Sequence, residues 1–188
     1  MSFLTHSPQR ERFLLLLWGL LFTKCFIVEF YVQSYQPPVN SWLYVWALSI
    51  SMATVATLVS LRLRAREARP VRLQPGLLRI WGACLAIALI GVLVFLLFPA
   101  LALEQVTLWL SLSLAGGYAV QSLHTANWID RSAALGWCLI LVVLLFVAAT
   151  QALLVFGLGI LAFCVLPLAM TMVLDWMEAR EALPALQV

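Results

Sequence analysis

Long apolar stretches alternate with short polar ones along the whole of this chain. Residues 77–98, LLRIWGACLAIALIGVLVFLLF, are apolar at nearly every position. They show neither the period of two of a half-buried strand nor the single apolar stripe of a surface helix. A helix apolar on all sides is one surrounded by protein core or by lipid. Crossing a hydrocarbon core of about 30 Å takes about 20 such residues. Six segments qualify: Phe13 to Val32, Trp42 to Ser60, Leu77 to Phe98, Val106 to Leu123, Ala133 to Ala152, and Val155 to Asp175. Membrane barrel strands would instead show about 10 residues of alternating polarity. The pattern predicts an all-α fold, a polytopic transmembrane helix bundle of six spans, with residues 1–188 forming a single integral membrane domain. The division of the last two spans rests on Gln151 and the Gly157/Gly159 pair. One helix over residues 133–175 would be about 65 Å long, twice the bilayer, so a tight hairpin is expected there.

Composition strengthens this reading. The chain is 64% hydrophobic and 10% charged, whereas soluble domains carry about 25% charged residues. No fold of this size hides that much apolar surface from water. Arg10 and Arg12 before FLLLLWGLLF look like the start of a signal peptide, but no small-x-small cleavage site follows. The first span is therefore expected to be an uncleaved anchor.

Charge placement sets the orientation. Arg62, Arg64, Arg66, Arg69, Arg72 and Arg79 cluster around the second connection, an Arg-rich loop over residues 61–79 opposed only by Glu67. The first connection, QSYQPPVNS, has no charge. Excess Lys and Arg mark the cytoplasmic side, which puts this loop and both termini inside (N-in/C-in). The expected location is a bacterial inner (cytoplasmic) membrane. Arg62, Arg64, Arg66, Arg69 and Arg72 form a candidate surface for anionic lipid head groups or a protein partner, each basic residue near an anionic leaflet contributing about 1 kcal/mol. A basic loop tied to the bilayer at both ends is not expected to bind nucleic acid.

Small residues predict which helix faces pack, because apolar surface alone does not favour protein over lipid tails. Such faces are Ser49, Ala53, Ala56, Thr57 and Ser60 in the second span, Gly82 and Ala86 in the third, and Ser113, Gly117 and Gln121 in the fourth. Pro167 should kink the sixth.

Lys24 and Glu29 are ionisable groups inside an apolar span. Lys24 is twelve residues beyond Arg12, about 18 Å along the axis. A lysine at such depth costs about 2.5–3.5 kcal/mol on insertion scales and calls for a partner. Glu29 is poorly placed for it, since five residues turn about 140° around the helix. Either Lys24 bends round to Glu29, or each pairs elsewhere.

Catalytic and metal motifs are lacking. Cys25, Cys84, Cys138 and Cys164 form no CxxC, no HExxH or phosphate-cradling glycine loop occurs, and no cofactor is indicated. The leading expectation is a non-enzymatic integral membrane subunit packing into a larger membrane complex or oligomer, with Lys24 and Glu29 as a polar lock. The alternative is a small-solute or ion transporter component whose midplane site is built from Lys24, Glu29, Tyr118, Gln121 and Gln151. A membrane-embedded enzyme is third.

Overall fold

The computed structural model describes residues 9–35, 41–66, 75–98 and 103–185, and all regular structure among them is helical. The helices are α1 (Gln9–Tyr35), α2 (Ser41–Arg66), α3 (Pro75–Leu97), α4 (Leu103–Thr125), α5 (Trp128–Leu144) and α6 (Ala149–Ile160). A five-residue π turn, Leu161–Val165, carries α6 directly into α7 (Leu166–Ala185). Two stretches are long and apolar enough to cross a membrane, Arg12–Tyr35 in α1 and Gln151–Leu174 in α6–α7. Tyr44–Val59 and Arg79–Phe95 are shorter apolar helices.

The centre is built from α1, α4, α5 and α6–α7. Trp137 of α5 and Phe156 of α6 are almost wholly buried and pack with Ala115, Ile160 and Val165. Phe26 of α1 meets Phe156 edge-on at 4.7 Å between ring centroids and Trp46 of α2 at 5.3 Å. Such aromatic pairs add about 0.5–1.5 kcal/mol each beyond the area they bury. Helix α2 leans on α1, and α3 leans on α4; neither makes another extensive helix contact among the described residues. Their far sides are apolar and open. Leu85, Leu89, Leu93 and Leu97 of α3, and Leu48, Met52 and Val55 of α2, are each more than half exposed.

Two of the three predicted small-residue faces are packed. Ser49 and Ala53 are buried against α1, and the Trp18 indole of α1 donates to Thr57 Oγ1 at 3.0 Å. Ser113 and Gly117 are buried, the latter beneath Cys84 and Trp81 of α3. Gly82 and Ala86 are exposed instead. The face of α3 turned to α4 is the repeat Trp81, Cys84, Ala88, Gly91 and Phe95. Gly91 is the point of closest approach. The Trp109 indole lies where a Cβ of Gly91 would be and donates to the Ile87 carbonyl at 2.9 Å.

The fifth and sixth spans divide earlier than the sequence suggested. Helix α5 already begins at Trp128, and the bend falls at 145–148, not near residue 153. Those residues are Leu-Phe-Val-Ala, closed by backbone bonds such as Phe146 N–H to the Val143 carbonyl at 3.0 Å. Gly157 and Gly159 sit inside α6 as contact points: an added Cβ would lie 3.1 Å from Phe26 at the first and 3.2 Å from Ile140 at the second. The irregularity expected at Pro167 takes the form of the π turn just before it. A proline ring clashes with the carbonyl four residues back, here Phe163, and that residue lies inside the widened turn.

The Arg-rich segment is also shorter as a loop than residues 61–79 implied. Arg62, Arg64 and Arg66 belong to the C-terminal end of α2, where cations complement the helix dipole. Arg79 lies in α3. Arg69 and Arg72 fall outside the described residues.

Candidate functional site

Polar groups gather at two separate places. The first is the corner between α4 and α5. Ala126 turns the chain with a positive φ of 50°, a left-handed conformation that costs a non-glycine residue about 1–2 kcal/mol. Asn127 then caps α5, its side chain accepting from Ile129 N–H at 3.3 Å. Asp130 follows in the first turn, where a carboxylate is favoured by the helix dipole. It is fully buried. Gln121 Nε2 donates to its Oδ1 at 2.9 Å, and the Thr125 hydroxyl donates to its Oδ2 at 2.6 Å. The Trp81 indole N–H donates to Gln121 Oε1 at 2.6 Å. That bond turns the Gln121 amide so that its NH2 faces Asp130. One chain of hydrogen bonds thereby ties α3, α4 and α5 together.

Tyr118, one turn before Gln121, stands edge-on to Trp81 at 5.1 Å between ring centroids. Its hydroxyl is a neighbour of the Cys164 thiol in the π turn. Trp137 Nε1 lies close to the same thiol.

The second place is the seam between α1 and α2. Lys24 is exposed, and its ammonium donates to Ser49 Oγ at 3.3 Å. Glu29 is buried, only 8% exposed. Its Oε1 accepts from Gln33 Nε2 at 3.2 Å, while its Oε2 is buried without a hydrogen-bond partner. Lys24 and Glu29 do not meet; of the two arrangements expected, each bonds elsewhere. The angle of about 140° between their positions puts them on different sides of α1.

The five residues proposed for one midplane site do not share one. Gly157 faces Thr23 and Phe26, Gly159 faces Trp137 and Ile140, and Asp130 lies seven to ten residues below those two on α5. The corner holding Gln121 is thus about 10–15 Å along the bundle from Lys24. Gln151 is exposed in the first turn of α6. Of the five, only Tyr118 and Gln121 border the same group, the Trp81 ring. Arg62 is exposed at the end of α2.

Asp130 and Trp81 are not among the candidate site residues read from the sequence. The signal for Asp130 was Asn127-x-x-Asp130, a capping residue followed by an acid in the first helical turn. Among the described residues no group of three His, Cys, Asp or Glu side chains could hold a metal ion. No family model, curated protein or solved structure matches this chain.

Proposed function

We propose that this chain is an integral membrane protein with six spans and both termini on the cytoplasmic face, and that it serves as a non-enzymatic subunit of a larger membrane complex. One observation carries the reading. Polar side chains inside the helices bond to one another across helix seams, while the apolar side chains of α2 and α3 face outward. Open apolar faces of that extent are unusual on a water-soluble monomer and ordinary in lipid. The polar chain through Trp81, Gln121 and Asp130 then acts as glue between helices, where apolar contact alone gives no preference. The bacterial cytoplasmic membrane is the proposed location, with the Arg-bearing end of α2 at its inner surface.

A transporter component is the second reading, and it draws on the buried Glu29 Oε2 that lacks a donor. Native mass spectrometry of the full chain, extracted from its own membranes in mild detergent, separates the two. The subunit reading expects a second polypeptide in fixed ratio on the 20.9 kDa chain. A lone chain carrying a co-purified small solute would favour the transporter. A lone chain with lipid only would contradict both.

A further inference from the structure

We propose that Lys24 anchors a docking face on α1 for a membrane-spanning helix of a different protein, one that carries a carboxylate at the same depth. The proposal rests on the membrane reading above. Lys24 is the only basic residue between Arg12 and Arg62. It lies near the middle of α1, eleven residues before Tyr35, about 16 Å of helix. The residue is exposed, and the hydrogen bond of its ammonium goes to a neutral hydroxyl, not to a carboxylate. Phe13, Leu20, Lys24 and Tyr31 are all exposed, at spacings of seven, four and seven. That is the repeat by which one helix presents a continuous face to another. The face is therefore apolar with one central cation. Ionisable groups at membrane depth pair with one another or face a protein interior, and the complement of this face is an apolar helix with one central acid.

A second copy of the chain does not supply that acid. Glu29 and Asp130 are buried within their own bundle. Glu11 and Glu104 sit in the first turns of α1 and α4. Gly19 faces Val165, and Asp175, Glu178 and Glu181 lie ten or more residues further along α7, toward the N-terminal end of α1. Glu67 falls outside the described residues. Among the described residues, a parallel copy thus places no free carboxylate level with Lys24. Lipid phosphate is also a poor match, because side chains lean toward the helix N-terminus, here away from the nearer outer surface.

The test uses the full chain in phosphatidylcholine vesicles with two synthetic spanning peptides of leucine and alanine. One carries a single central glutamate and the other a leucine in its place. Energy transfer between labelled chain and labelled peptide reads association. The expected result is at least tenfold tighter association of the glutamate peptide, a preference lost in Lys24→Leu and kept in Lys24→Arg. Lys24→Gln replaces Lys24→Leu if the latter does not fold. Equal association of both peptides, or a preference that survives loss of the lysine, would overturn the proposal. So would indifference to the glutamate combined with tighter retention of phosphatidylglycerol, which would give Lys24 to lipid. Alkaline carbonate extraction beforehand keeps the two claims apart. Release of the chain by carbonate would sink the membrane reading, whereas retention without peptide discrimination would sink only the docking face.

Discussion

Gly136→Leu is expected to be the most damaging single substitution in the bundle. Gly136 is buried on α5, and the Phe163 ring of the π turn occupies the space that any Cβ there would need. The fully buried Trp137 stands beside that ring at 6.4 Å between centroids. Overpacking a filled core costs about 1–3 kcal/mol and occasionally more, and this site belongs at about 3 kcal/mol. Even Gly136→Ala should destabilise, although alanine is the better helix former by about 1 kcal/mol. Gly82→Leu is the control, since nothing lies within 4 Å of a Cβ at Gly82. It should be neutral or slightly stabilising. Thermal unfolding in detergent measures both. Similar effects at the two glycines would contradict the packing of α5 on the π turn.

Asp130→Ala should rank second, at about 2 kcal/mol. It leaves the Gln121 amide and the Thr125 hydroxyl facing a buried gap. A hydrogen bond to a charged group contributes about 1.5–3 kcal/mol in water-soluble proteins, and interhelical ones in membranes average about 0.6 kcal/mol. Two such bonds place the loss between those scales. Asp130→Asn should cost less than about 1 kcal/mol. Its carbonyl still accepts from Gln121, and its NH2 can donate to the Thr125 hydroxyl. A double-mutant cycle between Asp130→Ala and Gln121→Leu should show coupling above about 0.5 kcal/mol, the level at which contacting residues depart from additivity. Additive losses would mean that the two side chains do not hold each other.

The helices themselves were legible because apolar runs of this length leave few other folds. The separation of Lys24 from Glu29 was legible too, from helical angle alone. The corner at 145–148 was not. It is made of Leu145, Phe146, Val147 and Ala148, and its turn is closed by backbone bonds alone. A chain with no polar residue, glycine or proline at its bend leaves no dip in hydropathy to read. Gly157 and Gly159 misled for the related reason that glycine in a membrane helix marks close approach as readily as a turn. The partners of Gly91 and Gly136 are rings on other helices, Trp109 and Phe163, and sequence spacing says nothing about which ring arrives. Asp130 follows the polar corner directly, and nothing in its spacing marks it as buried. Its burial depends on Gln121 and Thr125 folding back over the start of α5.

Six spans with both termini inside is the claim on which the rest depends, and thiol accessibility tests it most directly. In a background with Cys25, Cys84, Cys138 and Cys164 replaced, single thiols are introduced as Pro38→Cys, Glu104→Cys, Arg69→Cys and Ser132→Cys. Intact cells are treated with a membrane-impermeant maleimide. Pro38→Cys and Glu104→Cys are expected to be labelled from outside, and Arg69→Cys and Ser132→Cys only after the membrane is opened. Labelling of Arg69→Cys from outside, or of all four positions without opening the membrane, would contradict the claim.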